Sequence, residues 1–197
     1  MTVRLIPLDC PSCGSAMRSR DGDTLFLCEH CGGGAVLGQE ALEQVESTAL
    51  LPTPGRRAEI WLPGWMIDAE VEVADRVRAG GRGAPGWKGP KTFVIPAFNL
   101  SLSDTIRLAR ALSAAAGATG QVPHEPVTGG RLKLTDALAL IRHLVVGDEA
   151  RRTDLLASLR VEVVEGSHRL LALPFTKAKG HLQCAVTGTV VSASQEP

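Results

Sequence analysis

The chain has 197 residues, 44% of them hydrophobic, with 21 Lys and Arg against 21 Asp and Glu. That length and apolar content suit one main core plus a small appendage and exclude a wholly disordered chain. A formal net charge of zero gives the chain as a whole no electrostatic bias toward nucleic acid or an anionic membrane, so such a partner needs a local patch. The opening segment MTVRLIPLDC is too weakly apolar for a secretory h-region of ~7–15 residues, and no stretch approaches the ~18 consecutive apolar residues of a membrane helix. The expected location is cytoplasmic, without structural disulfides.

Two cysteine pairs come first. Cys10-x2-Cys13 is followed after 14 residues by Cys28-x2-Cys31, and Gly14 and Gly32 follow the pairs. A redox role for Cys28 and Cys31 alone needs a βαβ context and a helix N-terminus, which this stretch lacks. A two-residue spacer instead lets one tight turn aim both sulfurs at one point, and two facing turns complete a tetrahedron. The glycines supply the positive φ that turns backbone N–H groups toward the thiolates. Asp21-Gly22 signals a tight turn and Thr24 to Leu27 a short strand, so both pairs are expected at the base of one β-hairpin. Over residues 7–39 the pattern resembles the zinc-ribbon family. That resemblance implies one structural Zn2+ held by Cys10, Cys13, Cys28 and Cys31, with no coordination position left for water. A rubredoxin-like iron site shares the ligands but has a longer gap and an aromatic shell absent here. His30 is expected to be exposed and not a ligand.

Residues 1–40 are thus expected to form the ribbon. Segment 41–57 reads as a short helix within GQEALEQVEST and a linker at LLPTPGRR, and 58–194 as one α+β domain. Three segments there, IWLPGW, FVIPAF and LALPF, each run an apolar stretch into a proline and an aromatic, as strands that end, bulge or lie at an edge. The ribbon together with the W-L-P-x-W and V-I-P-A-F strands resembles uncharacterised bacterial zinc-ribbon proteins. Two helices follow: one capped by Ser103 with a stripe through Ile106, Leu108, Ala109 and Leu112 and a stop at Gly117, and one opened by Thr135 and Asp136 and closed at Gly147. His143 is read as a surface residue of the second. SLRVEVVEG, HRLLALPF and HLQCAVTGTVV read as an antiparallel meander with turns at Glu165-Gly166 and Lys179-Gly180. Alternation sets Cys184 and His181 on opposite faces of the last run, which argues for Cys184 as a small core residue. The expected class is α+β: a ribbon hairpin, then a mixed, mainly antiparallel sheet with two or three helices.

RVRAGGRGAPGWKGPK, residues 76–91, breaks the neutral background with Arg76, Arg78, Arg82, Lys88, Lys91 and Trp87 and no acid. It reads either as a solvated hairpin tip or as a site where cations track phosphates and Trp87 stacks a base. It is not a phosphate loop: Pro90 falls where a backbone N–H is needed and a strand follows where a helix should. Residues 1–57 carry five Lys or Arg against seven Asp or Glu, and four thiolates on a dication add further negative charge, whereas a ribbon that tracks phosphates should be basic. The leading expectation is therefore a non-enzymatic zinc-binding adaptor with a protein partner. The alternative is a nucleic-acid-binding accessory protein using the 76–91 loop, and a third reading is an enzyme whose site has no recognised motif.

Overall fold

The computed structural model describes residues 6–115, 117–152 and 156–192. The N-terminal part is a three-stranded antiparallel sheet of β1 (Leu25–Leu27), β2 (Gly34–Leu37) and β3 (Leu42–Val45). Its hairpin turns at Cys28 to Gly33, between β1 and β2, and not at Asp21-Gly22. The far edge of β1 is occupied by the chain around Gly130: the N–H groups of Thr24 and Leu25 donate to Gly130 O at 2.7 and 3.0 Å. The chain before Asp21-Gly22 therefore does not pair with β1.

Segment 41–57 departs from the expected helix and linker. Leu42 to Val45 pairs with β2, Leu37 opposite Leu42, and β4 (Ser47–Leu50) then crosses into a second, seven-stranded sheet. A short isolated helix is marginal in water, whereas the open edge of β2 offers ladder bonds to the same residues, so the long-range pairing wins.

The second sheet is organised around β5 (Ile60–Arg78), which lies between the antiparallel strands β6 (Trp87–Pro96) and β8 (Leu156–Ala178). The three proline–aromatic segments thus share one sheet: Gly64 lies opposite both Pro96 and Leu171, and Trp61 opposite Pro174. Pro63 is tolerated in this central strand because β6 pairing ends at Gly64. β4 runs parallel to β8 at Leu170 to Ala172, and β7 (Thr119–Gly120) borders β4. β9 (His181–Cys184) and β10 (Val190–Ser192) close an antiparallel meander. Glu165-Gly166 is not a turn: β8 runs straight through it, and the register shift opposite Asp68 and Ala69 marks a bulge.

Alternation on β5 fills both faces. Trp65, Ile67, Ala69, Val71 and Val73 pack with Leu25 and Leu27 of β1 and with Ala137, Ile141, Leu144 and Val145 of α2 (Leu134–Ala150). On the opposite face Leu62, Val94, Leu171, Leu173 and Phe175 pack under Leu108 and Leu112 of α1 (Leu102–Ala114). Each such fully buried large side chain stabilises the fold by roughly 1.5–3 kcal/mol, so β1 belongs to the main core as much as to the N-terminal sheet. α1 also closes an edge, because Ser113 Oγ accepts the Val94 N–H of β6 at 2.9 Å.

The helix ends differ from expectation. Ser101, not Ser103, caps α1 by accepting the Asp104 N–H at 3.1 Å, and α1 ends at Ala114 before Gly117. α2 begins at Leu134 with Lys133 as its N-cap and continues past Gly147 to Ala150. The Arg110 guanidinium of α1 lies against Gly147, on its way to Asp148 at 2.9 Å.

Candidate metal centre

The two cysteine turns are built alike. In the first, Gly14 N–H donates to Cys10 O and Cys10 N–H to Ser15 O, both at 2.8 Å; in the second, Gly32 N–H donates to Cys28 O at 2.8 Å and Cys28 N–H to Gly33 O at 2.9 Å. Gly14 and Gly32 both adopt φ +74°, which side chains resist and glycine does not. The second turn is tied to the large sheet by Ser47 Oγ, which donates to Gly32 O at 2.6 Å.

These turns bring the four sulfurs of Cys10, Cys13, Cys28 and Cys31 within 4.8 Å of one another. Cys10 Sγ is 3.7 Å from Cys31 Sγ, and Cys13 Sγ 3.7 Å from Cys28 Sγ. A tetrahedron with metal–sulfur bonds of ~2.3 Å has edges of ~3.8 Å, so the donor set is positioned to hold one metal ion. Cys10 and Cys28 are buried while Cys13 and Cys31 reach the surface, and the centre therefore lies at the rim of the core. His30 is exposed, as expected, and its carbonyl meets His124 Nδ1 at 2.8 Å.

The environment separates the thiols. The hydroxyl and backbone N–H of Ser15 hold Cys13 down at about 6. At Cys31 the Gly33 N–H works in the same direction, but burial and the neighbouring thiols of Cys13, Cys10 and Cys28 outweigh it and push the group up to about 12. Burial pushes Cys28 up as well. Four thiols this close cannot all ionise without a compensating cation, and a bound dication supplies that compensation.

A third turn of the same construction carries no metal signature in the sequence. Gly188 N–H donates to Cys184 O at 2.8 Å and Cys184 N–H to Thr189 O at 2.9 Å, with Gly188 at φ +75°. Cys184 occupies the first cysteine position and Thr187 the second, so this turn offers one thiol where the others offer two. Its neighbour is protein: Thr53 Oγ1 donates to Val186 O at 2.7 Å and the Arg56 guanidinium to Cys184 O at 3.3 Å. Cys184 is fully buried and His181 exposed, in agreement with their expected separation.

The basic segment is largely engaged with the protein itself. Its strands run to Arg78 and from Trp87, leaving 79–86 as the tip. Asp75, at φ 49°, marks a bulge where the β5–β8 register shifts between Ala74 and Val77, and the extra residue turns Arg76 inward. Arg76 Nε meets Glu149 Oε2 at 3.1 Å, and the side chains are 4% and 2% exposed. Trp87 Nε1 donates to Glu149 Oε1 at 2.9 Å, and Arg152 reaches the same oxygen at 2.9 Å. Lys88 pairs with Glu72 at 3.2 Å, and the Lys91 ammonium sits 5.2 Å from the Phe93 ring centroid. Arg78 also has a partner, and Arg82 lies exposed at the tip. Glu149 is the residue that sequence reasoning missed; it stands beside Asp148 in the last turn of α2, just before Arg151 and Arg152, and nothing local marks it as buried.

No family model, no curated protein and no solved structure matches this chain. No helix among the described residues is long and apolar enough to cross a membrane.

Proposed function

We propose that the N-terminal part is a zinc ribbon whose single Zn2+ is structural, and that the protein is a non-enzymatic adaptor docking on another protein in the cytoplasm. The observation that carries the zinc reading is the closed set of four cysteine sulfurs at tetrahedral spacing. All-thiolate ligation favours Zn2+ over the oxygen-seeking cations, and four protein ligands leave no open position for water or substrate, which is the arrangement of a structural site.

The adaptor reading draws support from charge. The acidic balance of residues 1–57 is unsuited to tracking phosphates. In the 76–91 segment Arg76 and Trp87 face the buried Glu149, which withdraws one cation and the one aromatic from any stacking surface. The test is capture of the tagged full-length chain from its native lysate at low salt, with and without nuclease. The expected result is a stoichiometric protein that survives nuclease. Nucleic acid that nuclease removes, and that Arg78→Gln with Arg82→Gln abolishes, would overturn the reading.

A further inference from the structure

The long strand β8 is covered on only part of its outer side. From Leu156 to His168 it pairs with β5 alone, and among the described residues no strand lies beyond it until β4 takes over at Leu170. An open edge of this length presents a row of backbone donors and acceptors ready to pair with another strand. Its side chains are sorted by face: Leu159, Val161 and Val163 are half-buried against the main core, while Arg160, Glu162 and Val164 stand exposed on the other side, Val164 at 63%.

We propose that this edge is a dimer interface and that its occupant is the same edge of a second copy of this chain, paired antiparallel about a twofold axis through Val161. In an antiparallel pair directly opposite residues share a face, so this register sets Arg160 against Glu162 of the second copy, and Glu162 against its Arg160. On the other face Leu159 meets Val163 and Val161 meets Val161, which extends the half-buried stripe into one apolar seam. Centring the axis on Arg160 or on Glu162 sets like charges face to face. A shift by half a residue sets the apolar stripe opposite the charged one. The Val161 axis satisfies both faces at once, and the twofold makes the surface complementary to itself. The two three-stranded units then form one continuous sheet in the order β6, β5, β8, β8, β5, β6. In the single chain Arg160 is held by Glu162 at 2.9 Å and Asp75 at 3.0 Å, all three side chains more than half exposed, so exchanging partners across the axis requires little desolvation.

The test is sedimentation equilibrium of the full chain over a concentration series, with far-UV circular dichroism confirming an unchanged fold. The wild type is expected to give a concentration-dependent dimer. Because the twofold presents every substitution twice, Arg160→Glu and Glu162→Arg are each expected to raise the dissociation constant at least about tenfold, and the double exchange R160E/E162R to restore dimerisation. A wild type that stays monomeric at every concentration, a dimer that neither single variant weakens, or a double exchange as weak as the singles would each overturn the proposal.

Discussion

Replacing Glu149 by alanine is expected to be among the most damaging single changes in the helical part of the protein. The Glu149 side chain is 2% exposed and receives Arg76, itself 4% exposed, at 3.1 Å, the Trp87 indole N–H at 2.9 Å and Arg152 at 2.9 Å. Removing one partner of a buried ion pair costs roughly 3–5 kcal/mol, because the other charge stays buried without its compensation. A buried indole N–H that loses its acceptor costs ~1–3 kcal/mol. The two effects overlap, since the hairpin end can relax toward water and Arg76 has a further interaction, which sets the expected loss at about 4 kcal/mol. Glu72→Ala is the matched control: its Lys88 pair joins side chains 61% and 36% exposed, and removing it should cost less than about 1 kcal/mol. The assay is urea unfolding followed by tryptophan fluorescence, where a slope of about 2 kcal/mol per molar turns the Glu149→Ala loss into a midpoint lower by about 2 M. Glu149→Gln, which keeps an acceptor for Trp87, should fall between the two. A Glu149→Ala loss no larger than that of Glu72→Ala would refute the reasoning and return Arg76 to the pool of cations available to a ligand.

Cys28→Ser should abolish stoichiometric metal binding and release the cysteine turns, while β5, β6 and β8 stay protected from amide exchange; retained metal with protected turns would contradict the assignment. Asp68 gives a pH signature. Hydrogen bonds from Thr92 and Ser167, then Arg169, hold its carboxyl below the usual carboxylate range. A depressed acid stabilises fully above its unfolded value of about 3.9 and loses that contribution as pH falls through the lower folded value. The stability gap between wild type and Asp68→Asn should therefore be level above about pH 5 and narrow as pH falls below the ordinary carboxylate range, and a gap that widens in acid would reverse the sign of the argument.

The cysteine centre was legible because its geometry is local: two residues between ligands and a glycine after each pair specify the turns without help from the rest of the chain. The proline–aromatic strands were legible as strands, and the residues that unite them in one sheet, such as Gly64 between Pro96 and Leu171, lie far apart in sequence. Where local and long-range preferences disagreed, the long-range one prevailed. GQEALEQVEST reads as a short helix, yet Leu42 to Leu50 is divided between two sheets because β2 and β8 each had an edge to fill. Glu165-Gly166 carries a turn signature, yet it is spent on a bulge within a 23-residue strand, since β5 extends far enough to pair on both sides of it. The turn at Cys184 was hidden for a simpler reason. Its cysteine-to-glycine spacing equals that of Cys10 and Gly14, but Thr187 stands at the second ligand position and removes the metal signal that draws attention to the other two.

X-ray absorption at the zinc edge on protein of measured metal content tests the central claim most directly. The account predicts one zinc per chain with a single shell of four sulfurs at ~2.3 Å, lost from the Cys28→Ser variant. A shell containing nitrogen or oxygen, or a well-folded N-terminal sheet in protein free of metal, would contradict it.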